Sequence, residues 1–140
     1  IFLERCFRHQ GRIEMKKQLD GIKILVVDDE QLFLDAISEP LIMLGATVYS
    51  ASNGLEAMDV LNINSVDVIL SDMHMPKSDG IDFLKRLRSA FPHTPPFFVL
   101  TSFAAEYSEE KLKELGVNDI ILKPFTIKQL LELILTNTTK

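Results

Sequence analysis

Residues 22–30 read IKILVVDDE, an aliphatic run that stops abruptly at three carboxylates. A continuous apolar run, without polar alternation, suits a strand whose two faces are both covered, as happens inside a parallel sheet clad in helices. Short runs rich in Val, Ile and Leu return at 47–51, 66–71, 96–101 and 119–122. Between them the spacing turns helical. Phe33, Ile37, Leu41 and Leu44 share one face of a helix, and Ile81, Leu84 and Leu87 share another. Leu112 with Leu115 marks a fourth helix, and Ile127, Leu130, Leu131 and Ile134 a fifth. Gly45, Gly54, Gly80 and Gly116 punctuate these boundaries. Strand then helix, five times over, predicts an α/β fold: a three-layer, doubly wound (βα)5 sandwich around a parallel sheet. One local conflict is Pro40, inside the first helical pattern, which predicts a kink or break near Glu39.

Composition agrees with a single domain. The chain has 140 residues, 46% of them hydrophobic and 25% charged, enough for one proper core. A net charge of −5 argues against a nucleic-acid surface. The cluster Arg5, Arg8, Arg12, Lys16 and Lys17 is interrupted by Glu4 and Glu14 and reads as a solvated segment. The single cysteine, Cys6, excludes an intramolecular disulfide and a Cys-rich metal site. No apolar run reaches the roughly 18 residues of a membrane span, and the opening IFLERCFRHQ is too charged for the core of a signal peptide. These features predict a soluble, cytoplasmic protein without membrane contact. Residues 1–21 stand outside the alternating pattern; a helical extension, a linker from a larger protein and an appended segment all fit, and Met15 is a second candidate start. The domain is expected over 22–138.

Ligands of open parallel sheets bind beyond the carboxyl ends of the strands, near the point where strand order reverses. The residues that end each run are therefore informative. The first ends in Asp28, Asp29 and Glu30, the third in Asp72, the fourth in Thr101 and Ser102, and the fifth is followed by Lys123 and Pro124. Three aspartates, a hydroxyl and a lysine converge on one rim. Crowded carboxylates need a positive charge, and a hard divalent cation such as Mg²⁺ (or Mn²⁺) provides it through oxygen ligands. One carboxylate can then attack phosphorus while metal and lysine neutralise the phosphoryl oxygens. Taken singly, each residue has a plainer reading. Asp28–Asp29 can cap a helix, Asp72 can serve a turn ahead of Pro76, Lys123 can be solvated, and Thr101 can simply end a strand. Their joint position at strand ends favours a site.

The segments ILVVDDE (24–30), ILSDMHMPKSDG (69–80), the Thr101–Ser102 pair and GVNDIILKPF (116–125) resemble the receiver domains of two-component response regulators, across residues 23–135. The resemblance implies a flavodoxin-like sheet of order 2-1-3-4-5. It implies Asp72 as phosphoacceptor and Asp28 with Asp29 as the acidic pair, Asp29 binding Mg²⁺ directly and Asp28 through water. Asp72 and the backbone carbonyl of His74 would complete the ligands. Thr101 matches the switch hydroxyl and Lys123 the phosphoryl-contacting lysine, with a cis Lys123–Pro124 bond; Gly80 would mark the turn after the phosphorylation loop. Ile120 departs from the aromatic ring usual at its position, which puts the usual ring rotamer out of play. His74 and Phe103 fall where the family tunes phosphoaspartate lifetime; a plain loop role for His74 is equally open.

The implied donor is a phosphohistidine on a sensor histidine kinase or histidine phosphotransfer protein, docking beside the first helix, where Leu32 and Phe33 are candidates although Phe33 also reads as core. The implied output is an unidentified partner or a homodimer through the fourth helix, fifth strand and fifth helix, where Lys128 and Gln129 are expected to be exposed. A receiver fold used only for binding, an aspartate-nucleophile phosphatase and a flavodoxin-like cofactor binder are the rivals. The phosphatase wants an aspartate where His74 stands, and the cofactor binder wants a phosphate-cradling loop where Asp28, Asp29 and Glu30 stand.

Overall fold

A computed structural model describes residues 17–73, 79–101 and 109–138. Five strands alternate with five helices: β1 Lys23–Val27, α1 Gln31–Met43, β2 Thr47–Ala51, α2 Gly54–Ile63, β3 Val68–Asp72, α3 Gly80–Ala90, β4 Phe97–Thr101, α4 Glu109–Glu114, β5 Asp119–Leu122 and α5 Ile127–Thr138. All pairings are parallel, in the order β2-β1-β3-β4-β5. The register lines up the carboxyl ends: Val27 lies opposite Ala51 and Ser71, Asp72 opposite Leu100, and Thr101 opposite Leu122.

The period-two geometry of the strands sorts the core into two layers. Ile24, Val26, Val68, Leu70, Phe98 and Leu100 point to the layer shared with Leu34, Ile37 and Leu41 of α1 and Leu130 and Ile134 of α5. Leu25, Val27, Ile69, Phe97 and Val99 point to the opposite layer, with Ala57 of α2, Phe83, Leu84 and Leu87 of α3, and Leu112 of α4. Both faces of β1, β3 and β4 are thus occupied, which is why their sequences carry no alternation. With right-handed crossovers, this division follows from the chain winding one way from β1 to β2 and the other way from β3 onward. The reversal lies between β1 and β3. No helix among the described residues is long and apolar enough to cross a membrane.

Three details depart from the sequence expectation. The buried stripe of α1 is Leu34, Ile37 and Leu41, continued by Leu44, so Leu34 takes the inward position and Phe33 is only half-buried beside it. Of the kink or break expected near Glu39, the break is absent: α1 runs on through Pro40, whose carbonyl still accepts from Leu44 N–H (3.1 Å). The third departure is at the amino end. Leu19 is fully buried in the α1/α5 layer, and its N–H donates to Leu44 O (2.8 Å). The turn before β1 therefore belongs to the core. Gly45, at φ 103°, makes room for it: a Cβ there would sit 2.9 Å from Asp20 Cα. Gly45 N–H closes α1 onto Ile42 O and Ala46 N–H onto Leu41 O, the helix-ending pattern that favours glycine.

Leu19→Ala is expected to cost about 3 kcal/mol in urea unfolding, as a fully buried leucine does. Leu32→Ala, at an 84% exposed position, should fall within about 0.5 kcal/mol of the parent.

Candidate functional site

The rim at the β1/β3 reversal gathers the residues that the strand ends deliver. Asp28 directly follows β1 and extends its pairing, donating its N–H to Ala51 O (3.1 Å). Its side chain is buried, and both oxygens have partners. Oδ1 accepts from Glu30 N–H (2.9 Å), and Oδ2 lies 3.3 Å from Lys123 Nζ. This replaces the helix-capping alternative: Glu30 is the N-cap of α1, with no side-chain cap hydrogen bond. Asp29, next along, is exposed.

Asp72 is the last residue of β3 and is half-buried. Its Oδ1 accepts from Met73 N–H (2.9 Å) and lies 3.5 Å from Lys123 Nζ. The backbone around it is held from three sides: Ser71 Oγ donates to Asp72 O (2.9 Å), Gly80 N–H donates to Met73 O (2.8 Å), and Met73 is buried. Gly80 approaches so closely that a Cβ would stand 2.5 Å from Asp72 O and 3.2 Å from Met73 Cα. The glycine is thus required by the contact between α3 and the Asp72 backbone, whatever its dihedral angles.

Thr101 ends β4 and is buried, and its carbonyl accepts from Lys123 N–H (2.8 Å). Lys123 follows β5, and the Lys123–Pro124 peptide is cis. Its ammonium bridges Asp28 and Asp72 and also sits 4.0 Å from the centroid of the Phe33 ring. Phe33 in turn meets Phe125 nearly edge-on, at 6.1 Å and 85°. Ile120 is half-buried against the α3/α4 layer. His74, Ser102 and Phe103 lie outside the described residues.

Carboxylate oxygens of Asp28, Asp29 and Asp72 all lie within 4.8 Å of one another. Among the described residues, three acidic groups therefore face one ammonium, leaving an excess of negative charge in a partly dry site. The imbalance shows in Asp72, whose pKa is raised. Burial is the main cause and Asp28 adds to it; together they outweigh the opposing pull of Lys123 and the Met73 N–H. Of the residues that sequence reasoning singled out, the three carboxylates and the lysine do come together at this rim. Sequence reasoning missed the engagement of Lys123 by Phe33, which joins two distant parts of the chain and leaves no local signal, and the bracing of Asp72 by Ser71 and Gly80.

A carboxyl whose pKa is raised on folding adds stability that is fully present below the unfolded value of 3.8 and is lost as pH rises through the folded value. Ionised Asp72 is then a net cost to the metal-free fold. Asp72→Asn is expected to raise the metal-free Tm at neutral pH by roughly 2–5 °C, a gain that fades toward about pH 3. Gly80→Ala should lower stability by about 2 kcal/mol in urea unfolding, since the Cβ meets backbone on two sides.

Against this geometry, residues 24–135 match the profile of the response regulator receiver domain. The chain is 40% identical over 108 residues to the transcriptional regulatory protein CpxR of Escherichia coli (strain K12), a match that takes in 77% of this chain and 45% of CpxR. It thus spans under half the length of that relative. Among solved structures it superimposes on the chemotaxis response regulator CheY4 of Vibrio cholerae with a TM-score of 0.73 and 31% identity, covering 82% of this chain and 97% of CheY4. The receiver domain of the sensor histidine kinase PA1611 from Pseudomonas aeruginosa, with a magnesium ion coordinated in its active-site cleft, gives a TM-score of 0.75 at 26% identity, covering 86% and 99%. With the 2-1-3-4-5 sheet and the acidic rim at its reversal, these matches lead to one assignment: the chain belongs to the response regulator receiver domain family of two-component signalling.

Proposed function

We propose that Asp72 is the phosphoacceptor of this receiver domain, charged by a phosphohistidine on a sensor histidine kinase or histidine phosphotransfer protein. The observation that carries the reading is a half-buried carboxylate at the sheet's reversal, with Asp28, Asp29 and Lys123 converged upon it. An Asp72 oxygen would attack phosphorus as the P–N bond of the donor breaks, its electron pair passing to the imidazole nitrogen, which takes up a proton.

The donor set fits a hard divalent cation, since three carboxylates against one ammonium leave charge to be met by oxygen-seeking Mg²⁺ or Mn²⁺. Asp29, exposed, and Asp72 are suited to bind it directly. Asp28, both of whose oxygens are engaged, is suited to act through water. The metal, when bound, supplies charge neutralisation at the phosphoryl oxygens. The magnesium ion coordinated in the active-site cleft of PA1611 supports a divalent cation at this rim.

Lys123 would pass from Asp28 and Asp72 to a phosphoryl oxygen, and the Thr101 hydroxyl would bond another. Phosphorylation then biases two conformations of the face formed by α4, β5 and α5, where Leu122 is 59% exposed. An unidentified output partner or a second copy would read that face. Ile120, aliphatic and half-buried, would transmit the change by repacking. The unit that does this runs over residues 22–138 with the Leu19 turn packed beneath it, works in the cytoplasm without nucleic acid or membrane, and catalyses its own phosphoryl transfer and dephosphorylation only.

The test is intact mass after incubation with acetyl phosphate and Mg²⁺. One base-labile phosphoryl adduct is expected, absent from Asp72→Asn and from metal-free protein. An adduct that survives Asp72→Asn would place the acceptor elsewhere. No adduct, where a known receiver is modified, would make the domain a binding module without the chemistry.

A further inference from the structure

We propose that Phe33 is a positioning residue for Lys123: its ring face, braced by Phe125, holds the lysine ammonium between Asp28 and Asp72. The inference rests on the reading above, in which Lys123 serves the phosphoryl group at Asp72.

A lysine head on a four-carbon stem carries about 2 kcal/mol of rotamer entropy and swings freely unless several groups confine it. Here two carboxylates attract it at 3.3 and 3.5 Å, distances longer than a tight charged hydrogen bond. They fix its direction only loosely, and exposed Asp29 adds a third attraction nearby. The Phe33 ring closes the remaining side. With Nζ 4.0 Å from its centroid, the ammonium lies well inside the range in which a ring quadrupole attracts a cation.

The ring is also placed for this task. Leu34 fills the inward position of α1, and Phe33, half-buried, rests one edge on that core while its ring face meets Lys123. Its plane is set by Phe125, two residues beyond Lys123, through the near-perpendicular contact at 6.1 Å. Lysine, clamp and brace thus form one closed set spanning α1 and the segment between β5 and α5. A ring face has no single bonding direction. The ammonium can slide across it toward an arriving phosphoryl oxygen and keep its contact throughout, which a hydrogen-bond acceptor in the same place would not allow.

Phe33→Leu and Phe33→Tyr in the full chain test this, with Tyr keeping the ring and Leu keeping only bulk. Three readouts are needed: the rate of acetyl phosphate uptake, the Mg²⁺ Kd, and the proton shift of the Lys123 Cε group, assigned by its loss in Lys123→Arg. Phe33→Leu is expected to slow uptake about fivefold with the Mg²⁺ Kd held within about twofold, and Phe33→Tyr to restore the rate. The Cε protons should lie upfield, under the ring current, in the parent and Phe33→Tyr, and should return to the ordinary lysine position in Phe33→Leu. Equal rates in parent and Phe33→Leu, equal losses in both variants, or ordinary Cε shifts in the parent would each overturn the proposal. A parent that takes up no phosphoryl group would instead sink the Asp72 reading, while the Cε shifts still decide whether Phe33 holds the lysine.

Discussion

An excess of negative charge, confined at the point where a parallel sheet reverses its winding, is the constraint on which the rest of this molecule is arranged. Three aspartates share a small volume, one of them fully buried, with an ammonium between two of them. Water cannot screen the group fully, so the scaffold must hold it against its own repulsion. The fold does this with backbone rather than with more charge. Amide N–H groups of Glu30 and Met73 point at Asp28 and Asp72, and α3 approaches the Asp72 carbonyl at Gly80, where any side chain would collide. These amide N–H groups meet the carboxylates without adding further charge to the rim.

Much of the fold and of the rim is legible in the sequence because both write themselves into short stretches of chain. A strand buried on two faces is an aliphatic run, and the residues that meet ligands follow the end of that run. Asp28, Asp72, Thr101 and Lys123 emerge on this ground alone. The order of the strands is a different matter. It depends on pairings between residues far apart, and only the likeness to receiver domains supplies it.

The misreadings share a cause. Phe33 packs only partly against the core while its neighbour Leu34 is buried, and helical spacing cannot rank neighbours when both are large and apolar. Which of them is fully buried depends on what faces them across space: core alone for Leu34, and for Phe33 the edge of that core together with Lys123 and Phe125. Pro40 suggests a break because proline opposes helix, yet one missing N–H near the end of a packed helix is outweighed by the burial of Ile37, Leu41 and Leu44 around it. Leu19 is invisible as core in the sequence, since a lone leucine in a polar turn has no period to betray it. Its partner, Leu44, lies in the loop after α1.

That Leu19 turn has a geometric consequence. It packs at the amino end of β1, whereas the acidic rim crowns the carboxyl end, about 16 Å away along a five-residue strand. The described chain therefore enters the domain at the pole opposite the acidic rim, moored there by a buried leucine and a backbone hydrogen bond. A pull on the chain at Leu19 would load the end of β1 remote from the carboxylates.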